Sequence, residues 1–111
     1  MSETRCTRIK LKPGMVARAR EWARELNARM DEVLATLEDE GVNREIVFLE
    51  EGPDGDYLIY FMDAEDFEKG HQVYQASTHP IDAYHRKFKD EAWDTRQNLE
   101  LLMDAVRTKG S

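Results

Sequence analysis

Apolar residues recur along this chain with two periods, and each stretch of one period predicts an element. Residues 5–11 alternate, with Thr7, Ile9 and Leu11 on one side and Cys6, Arg8 and Lys10 on the other, which is the period of a strand. Lys12-Pro13-Gly14 ends it, because Pro and Gly punctuate strands and Pro pre-sets a first helical turn. Met15, Ala19, Trp22, Leu26, Met30, Val33 and Leu37 then return at steps of three and four, with Ala23 and Leu34 widening the stripe. That predicts one long helix over residues 15–40, closed by Gly41 in the left-handed C-terminal position. Its charges oppose its dipole, with Arg18, Arg20 and Arg24 near the positive end and Glu38, Asp39 and Glu40 near the negative end. Each such placement costs roughly 0.3–1 kcal/mol when exposed, so partners elsewhere must neutralise them or the positive end must be wanted.

Two strands follow, over residues 45–50 and 56–62, joined by the turn Gly52-Pro53-Asp54-Gly55. Neither alternates apolar with polar: Tyr57, Ile59 and Phe61 point one way, and Leu58, Tyr60 and Met62 the other. A strand apolar on both faces is covered on both faces. One helical layer covers only one, so the other calls for a second sheet, and the simplest supplier is a second copy of the chain. A homodimer joined through its sheet faces is therefore expected.

A second helix is predicted over residues 64–77, with Phe67, Gly70, His71 and Tyr74 on one side. Thr78-His79-Pro80 breaks it, since the residue before a proline avoids the helical region. A third helix begins at Pro80 and is expected to reach about Arg107, its apolar side marked by Ile81, Tyr84, His85, Phe88, Ala92, Leu99, Leu102 and Val106. Lys109-Gly110-Ser111 is expected to fray. The predicted fold is α+β: a ferredoxin-like β-α-β-β-α unit with a helical C-terminus. No repeat or linker interrupts it, so residues 1–111 are read as a single domain.

Ile9-Lys10-Leu11-Lys12-Pro13-Gly14 before a long helix, Gly55-Asp56-Tyr57-Leu58, and His79-Pro80-Ile81-Asp82-Ala83-Tyr84-His85 carry a resemblance. With these segments the chain resembles a family of short prokaryotic proteins of unknown function in the dimeric α/β-barrel superfamily, in which two such sheets pack face to face. The resemblance implies the fold and the dimer. That superfamily usually adds a fourth strand after the second helix, at a place where residues 81–107 here read as helical. Its members include cofactor-free oxygenases, haem-handling proteins, sugar mutarotases and stress-responsive proteins, and fold alone does not choose among them.

Composition narrows the function classes. The 111 residues carry 16 Lys+Arg against 23 Asp+Glu, a formal net charge of -7, which disfavours nucleic acid as a partner. No apolar run approaches the ~20 residues of a membrane-spanning helix, so no membrane association is expected. Residues 1–7 are polar and show no secretory segment, and Cys6 is the only cysteine, so a cytoplasmic protein is expected. The charge is uneven. Residues 1–30 carry eight basic side chains against three acidic ones, whereas the remainder carries eight against twenty. Either the basic and acidic elements pair, within or between subunits, or a local positive potential attracts an anionic ligand.

Two groups of residues carry the candidate chemistry. His79, Asp82 and His85 are spaced by three, which puts Asp82 and His85 on one side of the third helix. Two imidazoles and a carboxylate can serve as a general acid/base set. Equally, Asp82 suits the first turn of a helix, His79 the position before Pro80, and His85 the core. No metal-binding spacing is present, and neither a metal nor a cofactor is expected. Arg8 and Lys10 form the second group. If Ile9 and Leu11 pack on the helices, these two cations face the interior of the barrel with Tyr57 or Tyr60, a setting for a carboxylate or enolate. If the strand lies at a sheet edge, they reach solvent. Trp22 belongs to the helical stripe, whereas Trp93 lies off it and is free to cover a dimer contact, rest under Lys89 or Arg96, or rim a pocket. Two functions fit: a non-catalytic homodimer that binds a small metabolite, anionic or not, or regulates through it, or a small cofactor-independent monooxygenase or isomerase with a histidine base.

Overall fold

The computed structural model describes residues 2–107. In chain order the elements are β1 (Glu3–Leu11), α1 (Val16–Ala28), α2 (Met30–Glu40), β2 (Val42–Gly52), β3 (Gly55–Ala64), α3 (Phe67–Gln75), α4 (Pro80–Ala92) and β4 (Trp93–Asn98). The strands form one antiparallel sheet in the order β2-β3-β1-β4. The α+β, ferredoxin-like architecture is the expected one, and the β2–β3 turn closes at Gly52 opposite Gly55.

Register decides which side of the sheet each residue takes. Ile9 lies opposite Leu58, Thr7 opposite Tyr60, Leu58 opposite Leu49 and Tyr60 opposite Val47, and these form the helix-covered face. The core there joins Ile9, Leu11, Leu58 and Tyr60 to Ala19 and Trp22 of α1 and Phe88 and Ala92 of α4. Trp22 stacks on Phe88 with ring centroids 4.6 Å apart and planes 11° from parallel. The opposite face presents Cys6, Arg8 and Lys10 beside Tyr57, Ile59 and Phe61, with Ile46 and Phe48 from β2. Among the described residues no helix covers it, and Phe48 is 59% exposed.

Three expectations are corrected. The long helix over residues 15–40 is two helices, broken at Arg29 (φ -116°, ψ 37°). The break lets α1 rest on α4 while α2 turns to α3 and β2. It also rotates the apolar stripe, leaving Met30 and Leu34 exposed and burying Thr36 instead. Arg29 spans the joint, its guanidinium 3.5 Å from Glu25 and 2.7 Å from Glu32. Second, the C-terminus is not helical to Arg107: α4 stops at Ala92, and the chain runs on as β4 along β1. Lys12 N donates to Ala92 O and Leu99 N to Cys6 O, each at 2.8 Å, so backbone bonds fix this strand at both ends. Leu102 and Val106 are then exposed on an irregular tail. Third, because β4 flanks it, β1 is an interior strand and not an edge. The fraying expected at residues 109–111 lies outside the described residues.

Two of the opposed cations, Arg18 and Arg20, find partners. Arg18 lies 3.1 Å from Glu91 and donates to the Tyr84 hydroxyl at 3.2 Å, and Arg20 lies 2.8 Å from Glu51. The break also gives α2 a first turn with Asp31 and Glu32, which its dipole favours. Gly41 ends α2 at φ 69°, in the left-handed position expected.

The α2–α3 contact depends on Gly70. A Cβ there would come within 2.7 Å of the Glu40 backbone oxygen. Alanine is the better helix former by about 1 kcal/mol, so Gly70→Ala would stabilise an unconstrained helix. Here the clash prevails, and we expect the variant to lose about 1–3 kcal/mol in thermal or urea unfolding. Unchanged or increased stability would contradict this close packing.

Candidate cavity between the sheet and the helices

The main cavity, about 480 Å³, lies between the covered face of the sheet and the helices. Every strand contributes: Glu45 from β2, Tyr60 and Met62 from β3, Arg5 and Thr7 from β1, and Trp93, Arg96 and Asn98 from β4. Helices close it with Glu40 from α2, Tyr74 from α3, and Asp82, His85 and Lys89 from α4.

His85 is held at the back of this space. The Trp22 indole Nε1–H donates to His85 Nδ1 at 3.1 Å. An indole nitrogen can only donate, so His85 Nδ1 bears no proton and Nε2 carries it. Burial, reinforced by Lys89 and Arg86, pushes the imidazole pKa down to about 3, so the ring is neutral at physiological pH. It is therefore a fixed hydrogen-bond donor and a poor base. Around it, Trp93 and Tyr74 each lie 6.1 Å away at steep interplanar angles, and Tyr60 meets Trp93 edge-on at 5.5 Å.

The polar atoms of this aromatic wall are unsatisfied. The Tyr60 and Tyr74 hydroxyls and Trp93 Nε1 are buried without a hydrogen-bond partner. Burial raises both phenols, Tyr74 to about 12, so both keep their protons. Lys89 Nζ sits 4.8 Å from the Trp93 ring centre and 5.1 Å from that of Tyr74, and burial lowers its pKa. On the β2 side the lining is acidic. Burial, with Asp82, Glu45 and Asp39 nearby, raises Glu40 to about 7, and burial with Asp82 raises Glu45 to about 6.

The structure divides the residues that the sequence singled out. His85, Tyr60 and Trp93 line the cavity together. Asp82 touches its edge but is engaged: its carboxylate accepts from Ser77 Oγ at 2.5 Å, while Ser77 Oγ accepts from His79 N, an arrangement that starts α4. His79 lies outside, with Nε2 2.7 Å from Asp39. His71 is exposed. Arg8, Lys10 and Tyr57 occupy the other face of the sheet, where Arg8 stacks 3.6 Å above the Tyr57 ring and pairs with Glu50 at 3.0 Å. No histidine shares a cavity with Arg8 or Lys10, since the sheet separates them.

Glu40, Glu45, Tyr74, Lys89 and Arg96 escaped the sequence reading. A signal existed for one of them: Lys89 follows His85 at a four-residue step, which stacks the two on one side of α4. Glu45 had another, because it takes the same side of β2 as Val47 and Leu49.

The His79–Asp39 pair gives a pH test. The hydrogen bond that His79 donates to Asp39, followed by the charge of Asp39, raises the His79 pKa above the usual 6.5. A raised histidine contributes its pairing below that usual value and loses it as pH rises through the folded value. In NMR titration we expect His79 to titrate above 6.5 and to return towards it in Asp39→Asn. A value unmoved by the substitution would refute the pair.

Comparisons with known proteins agree with this architecture. An uncharacterized NIPSNAP-like domain protein from Burkholderia xenovorans is similar, at 20% identity and a TM-score of 0.62 over 96% of this chain and 89% of that one. A dimeric protein of unknown function and ferredoxin-like fold from Bacteroides fragilis is 15% identical, with a TM-score of 0.54 over 88% of this chain and 92% of that one. The Pseudomonas aeruginosa protein PA3566 is 17% identical, with a TM-score of 0.53 over 92% and 93% respectively. These likenesses speak to fold. No curated protein matches the sequence. No helix among the described residues is long and apolar enough to cross a membrane. The family model of unknown function DUF6176 matches residues 2–110, nearly the whole chain, and the protein belongs to that family.

Proposed function

We propose that this protein is a homodimer that binds a small, partly aromatic molecule between its sheet and its helices, without catalysis. The observation that carries the reading is the set of buried, unpartnered donors in one cavity: the Tyr60 and Tyr74 hydroxyls and the Trp93 indole. Each unmet polar group costs about 1–3 kcal/mol, and a ligand offering acceptors relieves that cost. An apolar wall with a few convergent polar groups is the usual character of a small-molecule site. Lys89 and Arg96 on the β4 side favour an anionic group there, such as a carboxylate. The anion-binding role thus moves from Arg8 and Lys10, first considered for it, to Lys89 and Arg96.

The alternative, a cofactor-independent monooxygenase or isomerase with a histidine base, has less support. His79 stands outside the cavity, and His85 presents a protonated Nε2 with Nδ1 occupied by Trp22.

The dimer reading rests on the uncovered sheet face, where Phe48 is joined by Ile46, Ile59 and Phe61. A similar fold described as dimeric supports it. A second copy laid face to face would bury this surface and leave the helix-side cavity of each protomer intact.

Two measurements check these readings. Phenylacetate should raise the melting temperature of the wild type, and Tyr74→Phe and Tyr60→Phe should weaken its binding about tenfold, the effect of one lost hydrogen bond. Without ligand, both variants should be at least as stable as the wild type, because each removes only an orphaned hydroxyl. Equal affinity in all three proteins would overturn the proposed site. In sedimentation velocity the wild type should run at about twice 13.0 kDa, and Phe48→Asp should run as a monomer. A monomeric wild type would overturn the dimer.

A further inference from the structure

The cavity differs in charge at its two ends, and the sheet order sets the difference. On the β2 side lie Glu45 and, from α2, Glu40, with Asp82 of α4 beside them. On the β4 side lie Arg96 and Lys89. β2 and β4 are the two edges of the sheet, three strand spacings apart, or about 14 Å at the sheet itself.

The cationic end is the one already assigned to an anion. The acidic end is less easily explained as architecture. Asp82 is engaged by Ser77, but among the described residues neither Glu40 nor Glu45 has a hydrogen-bond or ion-pair partner. The groups facing them from each neighbouring element are Asp39 of α2, Asp82 of α4, Tyr60 of β3, Tyr74 of α3 and His79 at the start of α4. Of the basic groups near them, His79 is already spent on Asp39, Arg5 of β1, in one row with Met62 and Glu45 across the sheet, lies 4.3 Å over the Phe67 ring, and His71 of α3 is exposed. A second observation points to a ligand here: Tyr60 is only 6% exposed, lines the same cavity, and has an unpartnered hydroxyl.

We infer that the β2 end of the cavity receives the cationic group of the ligand, so the preferred ligand is dipolar, with an ammonium at Glu40 and Glu45 and a carboxylate at Lys89 and Arg96. This rests on the binding function proposed above and adds its polarity. An ammonium would place N–H donors before both carboxylates, and the faces of Tyr60 and Tyr74 favour an organic cation. The aromatic middle, with Trp93, suits a ring or a short apolar spacer between the charges. A ligand with both charges on one carbon, such as an ordinary α-amino acid, cannot reach both ends.

Three probes of nearly equal size isolate the claim: para-(aminomethyl)phenylacetate, which carries both charges, para-methylphenylacetate, the anion alone, and para-methylbenzylamine, the cation alone. Affinities are measured by calorimetry at about pH 8, where both glutamates are ionised given their raised values. In the wild type the dipolar probe should bind about tenfold more tightly than the anion, the gain of one charge-assisted contact. Glu45→Gln should erase most of that advantage while leaving the affinity for the anion unchanged, and Lys89→Met should weaken both. Should Glu45→Gln fold poorly, Glu40→Gln reads the same difference. If the anion binds as tightly as the dipolar probe, or if both glutamine variants keep the advantage, the inference is overturned and the cavity remains an anion site. If none of the three binds, the binding function itself falls with it.

Discussion

The contact between Trp22 and His85 organises this molecule. One hydrogen bond from indole to imidazole, backed by the stacking of Trp22 on Phe88, ties α1 to α4 across the top of the sheet. It sets the direction of α4, and with it the positions of Lys89 and Trp93. It also fixes the chemistry of His85, since an imidazole that accepts from an indole must carry its own proton on the other nitrogen. Removing the indole N–H would leave a buried imidazole nitrogen unmet, at a cost of about 1–3 kcal/mol, so the pair is a constraint on the core as well as on the cavity.

The sheet divides the molecule's chemistry in two. Its uncovered face is apolar around Ile46, Phe48, Ile59 and Phe61, and one of the cations on it is already engaged: Arg8 lies on Tyr57 and beside Glu50. Its covered face carries the cavity. Of the basic N-terminal region, Arg5 lines that cavity, over the Phe67 ring. Arg18, Arg20 and Arg29 meet glutamates from α1, α2, β2 and α4, in exposed or half-exposed pairs that each contribute about 0–1 kcal/mol. Lys89 and Arg96, the cations of the cavity's β4 side, come from the acidic remainder of the chain.

The fold was readable where the residue pattern follows from burial. The alternation of β1, the doubly apolar β2 and β3, and the Pro80 start of α4 were all visible, because each is a local consequence of which side is covered. The break at Arg29 was not, since Asn27-Ala28-Arg29 has no helix-stopping residue and the turn arises from α1 and α2 packing on different partners. β4 was hidden for a related reason: its residues Asp94 to Asn98 are polar and exposed, as an edge strand allows, while the leucines beyond them happen to continue a helical period. For the candidate site, the sequence picked out His85, Tyr60 and Trp93 but grouped them with Arg8 and Lys10, which the register places on the other face of the sheet. Choosing between Tyr57 and Tyr60 needs the strand register, which puts Tyr60 opposite Thr7 on the helix side and Tyr57 opposite Lys10 on the other. Glu40 and Glu45 come together only through the packing of α2 over β2, which local sequence does not reveal.

The proposed binding function puts the working space of this protein between sheet and helices and not between two sheets. A crystal structure of the protein grown with an aromatic carboxylate tests it most directly. One molecule per protomer is expected within hydrogen-bonding distance of the Tyr60 and Tyr74 hydroxyls and Trp93 Nε1, its carboxylate towards Lys89. A ligand seated instead on the opposite face, against Arg8, Lys10 and Tyr57, would contradict it.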